Sequence, residues 1–93
     1  MKDKVRAHAL ISGRVQGVFF RMETKRAADH YGVFGWVRNR SDGTVEAVFE
    51  GKQERVDAII AWCQKGPPHA DVKGVTVEKE DYTGEYKGFN ITY

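Results

Sequence analysis

Apolar and polar residues alternate along this chain with two periods, one typical of strands and one typical of helices. From Val5 to Ile11 the pattern has the two-residue period of a half-buried strand. Leu10 breaks the alternation and makes this strand apolar on both faces near its end, which predicts a central place in a sheet. From residue 20 the period becomes helical, and one face of the predicted helix consists of Phe20, Thr24, Ala27, Ala28 and Tyr31. Gly32 is expected to end this helix.

A hairpin is predicted to follow the first helix. Residues 33–39 and 44–50 both have strand-like patterns, and the pair Asp42-Gly43 between them is typical of a turn. Gly51 is expected to close the second strand of the hairpin.

The rest of the chain predicts a second helix and two more strands. A Gly-Pro-Pro sequence at residues 66–68 is expected to end the helix. Its apolar face consists of Val56, Ile59, Ile60 and Cys63. Residues 72–79 are predicted to form a strand, residues 80–87 a polar loop, and residues 89–93 a short last strand.

The order of these elements predicts the fold. Strand, helix, strand, strand, helix, strand is the duplicated split βαβ pattern of an α+β protein. We therefore expect a ferredoxin-like βαββαβ sandwich, an antiparallel sheet with both helices on one face, plus a short C-terminal strand. A chain of 93 residues can bury one core, so a single domain over residues 1–93 is expected. This architecture carries many unrelated functions and does not decide between them.

The composition is that of a globular protein, 41% hydrophobic and 30% charged. The net charge of +2 is too balanced to indicate nucleic-acid binding. No apolar run approaches the ~20 residues that span a bilayer, and the first residues lack the apolar stretch of a signal peptide. These features predict a cytoplasmic protein that binds neither nucleic acid nor a membrane.

Cysteine and histidine do not indicate a metal site. Cys63 is the only cysteine, so the chain can form neither an internal disulfide nor a cysteine-based zinc site. Its place on the apolar face of a helix predicts a small buried hydrophobic residue. His8, His30 and His69 fall on a strand, a helix and a loop without metal-ligand spacing, and we expect no bound metal.

The segment between the first strand and the first helix, residues 13–21, is the first candidate for chemistry. Gly13 and Gly17 permit backbone conformations that other residues avoid, so the main-chain N–H groups of residues 16–20 can face one concave space and bind an anion. Arg21 opposes the helix dipole by about 0.3–1 kcal/mol unless such an anion is bound. A tight turn followed by a surface arginine accounts for the same residues, and spacing alone favours it.

The hairpin supplies the second candidate. Asn39 lies at its mouth, where asparagine is common because its side chain mimics a backbone turn. Its amide can also hold a water in one orientation, since it both donates and accepts, but spacing alone favours the structural role. The two candidate segments contain one carboxylate, Asp42, and an excess of positive charge. This excess comes from Arg14, Arg21, Arg38 and Arg40.

Together the two segments resemble the signature motifs of the acylphosphatase family. Residues 13–21 contain Gly-x-Val-Gln-Gly-Val-x-Phe-Arg, and residues 35–45 contain Gly-Trp-Val-Arg-Asn-x-x-x-Gly-x-Val, with Gly51 beyond them. Both motifs are matched in order and at a typical separation, and chain length and element order agree from end to end. Paired motifs of this length are far more specific than either motif alone.

The resemblance implies hydrolysis of the carboxyl–phosphate bond of acyl phosphates, without metal or organic cofactor. It implies that Arg21 binds the phosphoryl group and that Asn39 positions the attacking water. The phosphate-binding loop would consist of Gln16, Gly17, Val18, Phe19 and Phe20, followed by Arg21. We expect a monomer that binds a small acyl phosphate, with inorganic phosphate or sulfate as a product-like ligand. Since an amide is a poor proton acceptor, we expect the substrate's own phosphate to take the proton of the water.

Two non-enzymatic alternatives remain open at this point. RNA-recognition domains share the element order and carry aromatic residues on the sheet, and residues 32–37 faintly resemble their aromatic strand motif. The domain could also regulate a partner through an exposed sheet edge. Release of phosphate from an acyl phosphate distinguishes the enzyme from both.

Overall fold

A computed structural model describes residues 3–93, which form five strands and two helices in the predicted order. The elements are β1 (Lys4–Arg14), α1 (Phe20–Tyr31), β2 (Phe34–Asn39), β3 (Val45–Lys52), α2 (Gln53–Lys65), β4 (Asp71–Glu80) and β5 (Phe89–Ile91). In the described part of the chain, neither helix has the length and hydropathy needed to cross a bilayer.

The five strands form one sheet in the order β4-β1-β3-β2-β5. The first four are antiparallel neighbours, as predicted, and β1 has the central place that Leu10 indicated. The short β5 adds to the edge strand β2 in parallel, with Gly35 opposite Phe89 and Val37 opposite Ile91. The complete sheet is therefore mixed, and the predicted α+β ferredoxin-like sandwich is confirmed for its main body.

Both helices pack on the same face of the sheet and contact each other. In α1 the buried residues are Phe20, Thr24 and Ala28, and in α2 they are Val56, Ile59 and Cys63. Gly32 ends α1 in the left-handed conformation, with φ 73°, and donates its N–H to the carbonyl of Ala28. The two helical periods of the sequence are thus confirmed.

The opposite face of the sheet is partly covered by the loop of residues 81–88. Glu50 on β3 is only 1% exposed because its carboxylate accepts hydrogen bonds from the N–H groups of Thr83 (2.9 Å) and Gly84 (3.1 Å). Arg6 also donates to Glu50, at 3.2 Å. The expected end of β3 at Gly51 is wrong, since the strand runs on through Lys52 and α2 begins at the next residue.

The direction of the strands decides which parts of the chain meet at one end of the sheet. Because β1 and β2 are both antiparallel to β3, they run parallel to each other, and their carboxyl ends lie at the same edge. The carboxyl end of β5 lies there too, since β5 is parallel to β2. The segment after β1, the last residue of β2 and the last residues of the chain are thereby brought together.

Candidate active site

The segment between β1 and α1 bends sharply at two left-handed residues. Gly17 has φ 74°, and Phe19, immediately before the helix, has φ 62° and ψ 23°. A glycine adopts this conformation freely, whereas a bulky side chain there costs of the order of 1–3 kcal/mol. Val15, before the first bend, and Val18, between the two, are buried and fix the segment to the core. The sequence predicted the turn at Gly17, but gave no sign of the strained backbone at Phe19.

The main-chain N–H groups of residues 16–20 have no main-chain acceptor within residues 3–93. The first hydrogen bond of α1 runs from the N–H of Glu23 to the carbonyl of Phe19, at 3.0 Å. Within residues 3–93, the main-chain hydrogen bonds outside helices and strand ladders include none donated by residues 16–20. Unpaired donors at a helix N terminus favour an anion.

The side chain of Gln16 connects this segment to the β2–β3 hairpin. Its Nε2 donates to the carbonyl of Arg40 at 2.8 Å and to the carbonyl of Thr44 at 2.9 Å. The sequence placed Gln16 in the site through its main-chain N–H and did not predict this role of the side chain. The two carbonyls belong to the turn that follows Asn39, so Gln16 fixes the hairpin relative to the loop.

Arg21 has its guanidinium free of carboxylates. Its Cζ lies 5.1 Å from the ring centroid of Tyr93, in a cation–π arrangement, and none of the ion pairs found among residues 3–93 includes it. The nearest acidic residue of the helix, Glu23, pairs instead with Arg26, at 3.6 Å. Arg21 therefore presents an uncompensated positive charge beside the loop.

Asn39 is the last residue of β2 and pairs with Val45 of β3. Its Oδ1 is buried and has no hydrogen-bond partner among the described residues. Leaving a buried acceptor unpaired costs about 1–3 kcal/mol, so such atoms are rare in folded proteins. In the turn beyond Asn39, by contrast, polar groups are paired: Asp42 accepts hydrogen bonds from both the N–H and the hydroxyl of Thr44.

One cavity of about 290 Å³ brings the predicted site residues together. Gly17, Phe19, Phe20, Arg21 and Asn39 line it. Gln16 and Val18, which were also predicted, are not among its lining residues; the Gln16 side chain is bound to the hairpin and Val18 is 6% exposed. The remaining lining comes from the apolar residues Val15, Met22 and Ile91 and from Tyr93. Of these four, only Val15 belongs to one of the two sequence motifs.

The family model for acylphosphatase matches residues 7–91 of this chain. The chain belongs to the acylphosphatase family. An acylphosphatase of Pelotomaculum thermopropionicum is 56% identical over 91 residues, covering 98% of this chain and 99% of that protein. One from Roseiflexus sp. is 53% identical over the full length of both. The resemblance of the two sequence motifs is thus confirmed, and with it the predicted class of enzyme.

Solved acylphosphatases have the same fold. The acylphosphatase of Coxiella burnetii matches with a TM-score of 0.92 at 34% identity, over 97% of this chain and 94% of that one. The enzyme of Bacillus subtilis matches with the same TM-score at 31% identity, over 96% and 99%. Part of a bacterial light-regulated adenylyl cyclase matches with a TM-score of 0.65 at 9% identity, over 95% of this chain and 28% of that one, which shows a shared fold alone.

Membership of the acylphosphatase family decides against an RNA-recognition domain. That alternative depended on aromatic residues in β2. Trp36 is only partly accessible, because its Nε1 donates to the hydroxyl of Tyr86 at 3.1 Å and Arg38 lies over its ring. Phe34, 41% exposed, is the aromatic residue of β2 that remains open to solvent.

The excess of positive charge expected beside Asn39 is smaller than the sequence indicated. Arg38 donates to Glu46 of β3 at 2.6 Å, and His8 Nε2 lies 2.6 Å from the other oxygen of the same carboxylate. Burial alone would raise the pKa of Glu46, but the hydrogen bonds from His8 and Arg38 outweigh it and lower the pKa. The hairpin register, which sets Arg38 opposite Glu46, is the signal that could have revealed this pairing.

Proposed function

We propose that this member of the acylphosphatase family hydrolyses acyl phosphates in the cavity between the β1–α1 loop and Asn39. The phosphoryl group is bound by the main-chain N–H groups of residues 16–20 together with Arg21. Asn39 positions the attacking water. One observation carries the proposal: the unpaired guanidinium of Arg21 and the buried, unpaired Oδ1 of Asn39 line the same cavity.

The electrostatics of the loop suit a phosphoryl group. Phosphoryl transfer depends on positioning and on stabilising the charge of the three equatorial oxygens. Preorganised N–H donors and one guanidinium supply that stabilisation in a site partly shielded from water. A bound phosphate also removes the unfavourable interaction between Arg21 and the helix dipole.

The unpaired Oδ1 of Asn39 supplies a hydrogen-bond acceptor that orients the attacking water. Asn39 Oδ1 accepts a hydrogen bond from the water, whose oxygen lone pair is then directed at phosphorus. The new P–O bond forms as the bond between phosphorus and the carboxyl oxygen breaks, and the carboxylate leaves with the electron pair. A bound water also gives this buried acceptor the partner that it lacks within residues 3–93.

The substrate itself takes the proton of the water. Among the side chains that line the cavity there is no Asp, Glu, His or Lys in the described part of the chain. The water proton therefore moves to a phosphoryl oxygen, which gives inorganic phosphate. Because the leaving carboxylate is a weak base, no general acid is needed at the other side of the reaction.

Two alanine substitutions test this division of roles. Arg21→Ala should lower kcat by about 10²–10³-fold and weaken competitive inhibition by inorganic phosphate or sulfate, because one group serves both functions. Asn39→Ala should lower kcat by a similar factor of about 10²–10³ and leave inhibition by phosphate nearly unchanged.

Matched controls are available in the same chain. Arg38→Ala removes an arginine paired with Glu46, and Asn90→Ala removes an exposed asparagine of β5. Both controls should keep kcat close to that of the unchanged protein. Turnover retained by Arg21→Ala or by Asn39→Ala would contradict the proposed site.

The same proposal includes a cytoplasmic, monomeric, single-domain enzyme. The buried free thiol of Cys63 is compatible with a reducing compartment. Sedimentation velocity tests the monomer, and a concentration-dependent dimer would contradict it.

A further inference from the structure

The cavity has a polar end and an apolar wall. Arg21 and Asn39 define the polar end, where the proposed function places the phosphoryl group. The wall beside them is formed by Phe19, Met22 and Ile91. A substrate with its phosphoryl group at the polar end must direct its acyl group along the rest of the cavity.

Exposed apolar side chains concentrate at this cavity. Six large hydrophobic residues are exposed among residues 3–93, and three of them line it. Phe19 is 67% exposed and Met22 is 50% exposed, each without the burial that normally stabilises such a side chain. The third, Tyr93, packs on Arg21. Apolar side chains gathered at the mouth of a cavity are typical of a binding surface.

The backbone of Phe19 supports a role in binding. Its left-handed conformation, with φ 62°, is unfavourable for a bulky residue. Glycine or asparagine would adopt this conformation at lower cost, and the exposed ring gains little from packing on the protein itself. The left-handed backbone and the exposure of the ring are both compatible with a contact between Phe19 and a bound ligand.

We propose that Phe19, Met22 and Ile91 form an acyl-group subsite, so that the enzyme selects acyl phosphates with an extended apolar acyl group. The proposal rests on the proposed function, because it uses the same cavity. A charged acyl group finds no partner along this wall, and Arg21, the one cationic residue of the lining, is engaged by the phosphoryl group. Burial of methylene groups against the wall favours longer chains over acetyl.

Acetyl phosphate and hexanoyl phosphate provide the test on the unchanged protein. Their leaving carboxylates have nearly equal basicity, so the ratio of kcat/KM values measures contact with the acyl chain. We expect hexanoyl phosphate to be preferred by at least about 10-fold, the scale on which an apolar pocket discriminates. Succinyl phosphate, with a carboxylate at the end of its acyl group, should be hydrolysed less efficiently than hexanoyl phosphate.

Met22→Ala locates the subsite. This exposed position is not part of the phosphate-binding machinery, and alanine is a good helix former. The variant should keep the kcat/KM of acetyl phosphate and lose about 3–10-fold of the preference for hexanoyl phosphate, because part of the wall is removed. Phe34→Ala, which removes an exposed aromatic residue on the other face of the sheet, should leave the preference unchanged.

The outcomes separate this inference from the proposed function. Equal kcat/KM for the acetyl and hexanoyl substrates overturns the subsite and leaves the hydrolase intact. A hexanoyl preference that Met22→Ala does not reduce also overturns it, because the contact then lies elsewhere. Absence of turnover with every acyl phosphate contradicts the proposed function itself.

Discussion

The hydrogen bonds of Gln16 make a sharp prediction about positioning. The proposed phosphate-binding loop and Asn39 belong to different elements, and the Gln16 side chain joins them through the carbonyls of Arg40 and Thr44. Gln16→Met keeps an unbranched side chain of similar length and removes the donor. The main-chain N–H of residue 16 stays in the loop.

The cost to stability follows from the partners that remain. The carbonyl of Arg40 still accepts the N–H of Gly43 at 3.2 Å, and the carbonyl of Thr44 still accepts the N–H of Arg40 at 2.8 Å. Neither carbonyl is left without a donor, so each lost bond costs no more than the usual net value. Two such bonds at about 0.5–1.5 kcal/mol each lower the free energy of unfolding by about 1–3 kcal/mol. The variant should therefore remain folded.

The cost to catalysis should be larger than this loss of stability suggests. Without the connection, the hairpin can shift relative to the loop, and a displacement of about 1 Å between reacting groups can lower the rate by ~10²-fold. We expect kcat to fall by about 10–100-fold. Inhibition by inorganic phosphate should change by less than about 3-fold, because the loop and Arg21 remain in place.

The positioning role of Gln16 is tested by three measurements on the same preparation: urea denaturation, steady-state kinetics and inhibition by phosphate. The control Gln64→Met replaces an exposed glutamine of α2 and should change none of the three quantities. A variant that loses the expected stability and keeps its kcat would refute the positioning role. A parallel loss of phosphate affinity would show instead that the loop itself had collapsed.

Two further predictions concern the frame around the site. Burial opposes ionisation of Glu50, but hydrogen bonds from Thr83, Arg6 and Gly84 outweigh it and hold its pKa below the ordinary 4.5. The ionised Glu50 therefore contributes fully to the free energy of unfolding above pH 4.5, and this contribution is lost as the pH falls below that value. Denaturation experiments from pH 6 to about 3 should show a smaller loss of stability in Glu50→Gln than in the unchanged protein. Burial raises the pKa of the Cys63 thiol to about 12. At pH 8 an aromatic disulfide reagent should therefore label Cys63 only as fast as the protein opens. Rapid labelling of the native protein would contradict the packing of α2.

The fold was largely predictable because its main elements have clear periods. The helical face of residues 20–31 and its glycine stop appear in α1 with the expected ends. The place of β5 was not predictable, because three residues carry too little pattern to specify a partner strand. Its parallel pairing with β2 is supported by the loop of residues 81–88, which is attached through the buried Glu50.

The site was predictable as a set of residues and less so as a set of contacts. Sequence motifs named the loop, Arg21 and Asn39, and one cavity is lined by Arg21, Asn39 and three residues of the loop, Gly17, Phe19 and Phe20. The pairing of Glu46 with Arg38 depends on the hairpin register, and the bonds of Gln16 depend on the packing of a loop on a hairpin. Such contacts join residues distant in the chain, and no local period encodes them.

The features that conflict with local physical rules occur together at the cavity. Phe19 holds a bulky side chain in a left-handed conformation, Asn39 buries an unpaired acceptor, and Arg21 sets a positive charge at the positive end of a helix. Elsewhere, buried polar groups such as Glu50 and Thr24 are satisfied, and the helices bury apolar faces as their sequences indicate. In the proposed complex each conflict is relieved by a different part: the acyl group contacts Phe19, the water donates to Asn39, and the phosphoryl group neutralises Arg21. Three unfavourable features that one ligand would relieve are better explained by selection for binding than by chance in folding.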